Sequence, residues 1–239
     1  KQIAKYTISS VNPHNSQGNI FNEIIWSEDF SNSDIENVNL EDIAGYGGWI
    51  WSTSGSQGMW SANSGIIESE TPDNGFMIID ADFYNSYPQN NVDNGEVGEN
   101  PINASFSIGP IDLSQSPTEE LSLQFYSNYR ICCYNSSTGN NDLNVFIGKV
   151  DSTGTLSWND LNYIEGDSYE VNEEKETFSQ IPLSGFSANV DSIYFKFEWS
   201  GTHYYWAIDD LSVAQRPEYD LRVKSGWIAM RDPENIEYY

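Results

Sequence analysis

Cysteine is nearly missing from this 239-residue chain: there are two, and they are neighbours, Cys132 and Cys133. A bond between adjacent cysteines closes a strained ring, so ordinary cross-linking within the chain is excluded. The pair is either two free thiols or a vicinal disulfide. Histidine is equally sparse, with His14 and His203 alone, and there is no CxxC, so zinc has no support. Basic residues are few: ten Lys and Arg stand against 36 Asp and Glu, a net charge of −26. A field of that sign repels nucleic acid and anionic membranes, and neither is an expected partner. No apolar run approaches the ~20 residues of a membrane helix, so no membrane insertion is expected. The chain starts at Lys1 without an initiating Met or a signal peptide. It reads as a mature or excised segment, in keeping with a secreted origin.

What is present is aromatic. Eight Trp, 15 Tyr and 11 Phe are ample material for a core, so the charge does not mark a disordered acidic tail. Short strand-like runs are separated by Gly, Asn, Ser and Asp. Strands are expected at Glu23–Phe30, Trp49–Ser52, Gly65–Ser69, Phe76–Ala81, Ala104–Ile111, Leu121–Ile131, Leu143–Val150, Lys175–Ile181, Ser192–Trp199 and Tyr204–Val213. Leu121 to Tyr126 and Ile193 to Trp199 alternate apolar and polar residues, so one face of each belongs in a core. No stretch carries a helical stripe of useful length. The expected fold is all-β, a two-sheet antiparallel β-sandwich of jelly-roll type. The expected domain spans 23–214, with a leader at 1–22 and a linker, or the start of a following domain, at 215–239. Residues Phe83–Pro101 lack periodicity and read as a long loop, placed to wrap a ligand or metal.

Three acidic clusters draw the eye: Glu28-Asp29, Asp80-Ala81-Asp82 and Asp209-Asp210. In a strand, Asp209 and Asp210 point to opposite faces and cannot both be solvated in the same way. Either the strand ends there and both acids reach water, or the inward one takes a hard cation such as Ca²⁺. Among the aromatics, Trp51, Trp60, Tyr126, Tyr129, Tyr134, Tyr204 and Tyr205 are candidate sugar-stacking platforms, against the plainer reading that they fill the core. Trp60 stands out because it follows the Gly-rich segment Ser54 to Met59. Trp60, Tyr126, Tyr129, Tyr134 and Tyr204 form the expected ligand-binding set.

Glu28-Asp29-Phe30, Gly48-Trp49, Gly75 to Asp80, Ile108 to Ser114, Leu121 to Phe125 and Trp206 to Val213 follow in order over Trp26 to Val213. In this layout the chain resembles the MAM-like jelly rolls, and most closely the cleaved-adhesin domains of secreted bacterial multidomain surface proteins. It lacks the disulfide pattern of animal MAM domains. The resemblance implies that the first and last strands lie side by side and hold a structural Ca²⁺. It assigns Glu28 and one of Asp209 or Asp210, preferably Asp210, as ligands, with Asp82 as a third. It also implies a secreted or cell-surface location and neighbouring domains in a larger protein.

Catalysis has little to build on. Neither histidine lies near a G-x-S-x-G turn, which removes a Ser-His-Asp set. The E-x-D-x-x-E strand signature of laminarinase-like sandwich hydrolases is absent, and with 36 acids some carboxylate pair can always be chosen. The expected function is a non-catalytic binding or adhesion module for carbohydrate or an extracellular surface partner. The alternative is a glycoside hydrolase or other secreted enzyme on a sandwich scaffold.

Overall fold

Alternation of buried and exposed side chains sets the architecture. In β10 (Ser192–Gly201), Ile193, Phe195, Phe197 and Trp199 are buried, while Tyr194, Lys196 and Glu198 face outward and are half-buried. Such a strand has one face for a core and one for something else. The computed structural model describes residues 24–34, 38–62, 64, 66–86, 100–114, 120–131, 142–163, 173–183, 185–186 and 190–215.

Besides β10 the strands are β1 (Ile24–Glu28), β2 (Val38–Asp42), β3 (Ile50–Ser52), β4 (Phe76–Asp80), β5 (Ile102–Asp112), β6 (Leu121–Arg130), β7 (Asp142–Val150), β8 (Leu156–Asp160), β9 (Glu174–Pro182) and β11 (Tyr205–Gln215). One sheet runs β3-β4-β11-β6-β9, with β1 also on β11; the other runs β2-β5-β10-β7-β8. The strand pairs are antiparallel, and the all-β two-sheet sandwich is as expected. Between the sheets Phe106 stacks on Phe197 at 4.8 Å, with Trp49, Phe125 and Trp206 arranged edge-on around them. Each such ring pair contributes about 1 kcal/mol beyond its buried area. Trp206 donates its indole N–H to Ser127 Oγ at 2.8 Å, which removes the cost of burying it.

The last strand joins the sheet together. One edge of β11 pairs with β6; the other is shared, β4 lying against Tyr205–Ile208 and β1 against Leu211–Ala214. The change of partner falls at Asp209–Asp210, where Asp210 has φ 50° and the register with β6 shifts. This β-bulge is where an extra residue re-aims its neighbours.

Three local expectations need correction. Described residues 66–69 of the expected strand Gly65–Ser69 belong to a loop, drawn out of strand geometry by bonds to acids described below. The loop expected from Phe83 begins instead inside a short helix, α1 (Ala81–Ser86), whose first turn is capped by Asp80 Oδ1 accepting Phe83 N–H at 2.9 Å. Two strands, β2 and β8, were not anticipated. Both are sheet edges rich in Asp, Asn and Glu, composition that suits an edge because it discourages pairing with another chain. The turn before β8 is built by Asp151 Oδ1, which accepts the N–H groups of Thr153 and Thr155 at 2.8 and 3.0 Å.

Candidate functional site

The described residues of the connection from β3 to β4, 53–62, 64 and 66–75, include a stretch on the outer face of the six-stranded sheet. There Ile67 packs with Phe76, Ile78, Tyr205 and Ala207, side chains that alternate with core-facing Met77, Ile79, Trp206 and Ile208. Carboxylates of the sheet and α1 hold this loop. Asp80 Oδ2 accepts Gln57 N–H at 2.6 Å; Asp82 Oδ2 accepts Trp60 N–H at 2.6 Å and Ser61 Oγ at 2.8 Å. Glu176 accepts Glu68 N–H, and Asp209 accepts the Ser69 hydroxyl. Asp210 accepts Glu70 N–H at 2.7 Å, Thr71 N–H at 3.2 Å and Thr71 Oγ1 at 2.7 Å. Bonds from a charged acceptor to backbone donors are among the stronger ones available to a protein. Much of the acidity that suggested metal chemistry therefore does structural work on one loop.

Asp209 and Asp210 do not point apart. The left-handed backbone at Asp210 breaks the alternation, and both carboxylates meet residues 69–71. Asp209 is fully buried. Its carboxyl is pushed up to about 7, chiefly by burial and further by the charges of Asp210 and Asp29, against the opposing bonds from Ser69 and the Asp210 N–H. Burial likewise raises Glu28, Asp80 and Glu176 above the usual carboxylate range.

The strands do bring Glu28 beside the end of the chain: it pairs in register with Leu211, next to Asp210. Its Oε1 accepts Phe30 N–H at 2.8 Å. Asp82 is elsewhere. It follows Asp80, which pairs with Tyr205, four residues of strand from Asp209 and so about 13 Å away along β11. Among the described residues no three His, Cys, Asp or Glu side chains converge as a ligand group. At the β1–β11 junction Glu28 comes beside Asp210 in register, and the charge of Asp29 acts on Asp209.

The expected aromatic set is scattered. Trp60 is 58% exposed, and its carbonyl accepts Arg130 Nη1–H at 3.2 Å. Arg130 also lies 4.1 Å over the Tyr204 ring, so Trp60 and Tyr204 share one corner. Tyr126 packs, half-buried, against the Ile67 cluster on the six-stranded sheet, 5.0 Å from Phe178. Tyr129 packs against the main core and Tyr205 is buried, donating to Asn128 at 3.0 Å. The Trp51 ring covers Gly75 and donates to Phe30 O at 2.8 Å. Tyr134, with Cys132 and Cys133, lies outside the described residues.

A more coherent surface lies on the outer face of the five-stranded sheet. Register places Trp158, Gly148 and Tyr194 in one row across β8, β7 and β10. The next row holds Asp160, Phe146, Lys196, Ser107 and Asn39; the one after it Asn144, Glu198, Ser105 and Glu41. Each ring of the first row rests on a glycine. A Cβ on Gly148 would meet Trp158 Cζ3 at 2.7 Å, and one on Gly109 would meet Tyr194 Cδ1 at 2.7 Å. Only glycine lets the rings lie this close to the sheet, and both remain partly open to solvent. Lys196 Nζ is 2.9 Å from Glu198 Oε2, 4.4 Å from the Phe146 ring centre and 5.4 Å from that of Trp158. None of these residues was singled out in the sequence. Tyr194, Lys196 and Glu198 were legible as the outward set of an alternating strand, whereas Trp158 sat on a strand not anticipated.

No family model matches the chain, and no curated protein matches it. Among solved structures it is similar to the K1 cleaved adhesin domain of Lys-gingipain from Porphyromonas gingivalis W83, at 14% identity, 80% of this chain, 98% of that one and a TM-score of 0.44. It is similar to the CBM22-1 xylan-binding domain from Paenibacillus barcinonensis Xyn10C, at 11% identity, 83% and 97% coverage and a TM-score of 0.40. TmCBM61, solved with β-1,4-galactotriose, gives 9% identity, 79% and 94% coverage and a TM-score of 0.39.

Proposed function

We propose that this chain is a non-catalytic carbohydrate-binding module of a secreted or cell-surface protein, and that it binds through the outer face of the five-stranded sheet. The observation that carries the reading is the row Trp158–Gly148–Tyr194, with two rings laid down on glycines and polar side chains in the rows beside them. Ring faces suit the apolar faces of sugars, and adjacent Lys, Glu, Asn and Ser side chains suit their hydroxyls. A structural calcium at Glu28, Asp29, Asp209 and Asp210 is part of the same proposal. It is supported by a fully buried Asp209 crowded by two further acids, with no ion pair to Lys or Arg among the described residues. The ion would supply positive charge where these carboxylates repel one another, tying β1 to β11.

The test is affinity electrophoresis of the purified chain through gels containing single soluble polysaccharides, with Trp158→Ala and Tyr194→Ala alongside. Retardation by a polysaccharide, lost in both variants at unchanged circular dichroism, is the expected result. Undiminished retardation of the variants would remove the site, and release of reducing ends would replace the module with a glycoside hydrolase.

A further inference from the structure

The charged pair on this face says more about the ligand. We infer that the face takes a neutral, extended polysaccharide laid across the strands, with a vicinal diol on the Lys196–Glu198 pair, and rejects polyuronates. The inference rests on the binding site proposed above.

Direction comes from the sheet. Trp158 and Tyr194 stand on β8 and β10, two strand spacings apart, or about 9.6 Å. That is about the length of a disaccharide unit. A chain crossing the strands can therefore place one ring on Trp158 and the next but one on Tyr194, with the intervening unit above β7.

Charge decides the class. Lys196 is the basic residue of the three rows, against Asp160, Glu198 and Glu41. It already has Glu198 at 2.9 Å, and both side chains are mostly buried, at 18% and 23% exposure. A carboxylate arriving at Lys196 would meet Glu198 at nearly the same distance, inside the field of a chain with net charge −26. A diol has no such conflict. One hydroxyl accepts from the ammonium and its neighbour donates to the carboxylate, so the pair is used and not broken.

The test is calorimetric titration with oligomers of neutral hexoses and pentoses of increasing length, and with oligogalacturonate and oligoalginate. The variants are Trp158→Ala, Tyr194→Ala and Glu198→Gln. Expected are binding of a neutral series, a rise in affinity once the oligomer spans both rings, and loss in Trp158→Ala. Glu198→Gln leaves Lys196 uncompensated and should raise uronate affinity about tenfold at low salt, a difference of about 1.4 kcal/mol. Wild-type preference for a uronate series that is lost in Trp158→Ala would overturn the ligand class and leave the site standing. Neutral binding that survives in both aromatic variants would overturn the site itself, and failure to bind any series would overturn both.

Discussion

Thr71 is held by Asp210 at two points, its N–H on Oδ2 at 3.2 Å and its hydroxyl on Oδ1 at 2.7 Å. With the Glu70 N–H on the same carboxylate, one acid closes a turn that lies 139 residues away in sequence. Bonds of this kind to a charged acceptor contribute about 2 kcal/mol when the donors would otherwise be left without a partner. Asp210→Ala should therefore lower the melting temperature by about 4–8 °C for a chain of this size. It should also open residues 66–72 to limited proteolysis. A melting curve that overlays the wild type would show that the loop does not depend on this anchor.

Asp209 links stability to pH. Its carboxyl titrates at about 7 in the folded chain and near the ordinary aspartate value of 3.8 when exposed. Between those values the folded state binds the extra proton, so this contribution is fully present below about pH 4 and is lost as pH rises through 7. Glu28, Asp80 and Glu176 are raised and act in the same direction. Melting temperature should climb as pH falls from 8 to 5, in metal-free buffer. Asp209→Asn, which cannot ionise, should flatten that slope; an identical slope in the variant would take Asp209 out of the linkage.

Gly148→Ala separates binding from folding. The new methyl would come within 2.7 Å of the Trp158 ring, and the ring, being partly exposed, is the part free to move. Affinity for the polysaccharide should fall at least several-fold, while the unfolding free energy from denaturant titration falls by only about 1 kcal/mol. Unaltered affinity would mean that the seating of this ring is irrelevant to the ligand.

The sandwich was legible because its strands alternate. Ile193 to Trp199 and Leu121 to Tyr126 disclose their inner faces by period alone. β2 and β8 were not, since Val38 to Asp42 and Leu156 to Asp160 are exposed edges and owe their conformation to pairing with β5 and β7. The acids stand out in the sequence, but the loop bonds they make do not, for a related reason. Composition marks Asp80, Asp82, Asp209 and Asp210 as costly to bury, but cannot say whether a cation or a neighbouring backbone satisfies them. Much of the answer lay in residues 57–71, whose N–H and hydroxyl groups come from a loop over a hundred residues from β11. The ring row was hidden because its supports, Gly148 and Gly109, become meaningful only once register sets a ring above each.

A calcium titration would discriminate between the two acidic groups that the family resemblance joins. Glu28, Asp29, Asp209 and Asp210 lie on the stretch where β1 meets β11, whereas Asp82 holds Trp60 and Ser61 at the far end of the β4 pairing. A cation at the first group would stabilise the fold by about 2.7 kcal/mol at a hundredfold excess over its dissociation constant. Thermal melts with calcium and with excess chelator should differ accordingly. Asp209→Asn should abolish the difference by removing a charge from the binding group. Asp82→Asn should melt lower in both buffers yet keep the difference, because it weakens the loop without touching the ion. Superimposable wild-type curves would leave these carboxylates as loop anchors alone, and a difference lost in Asp82→Asn would move the ion to α1.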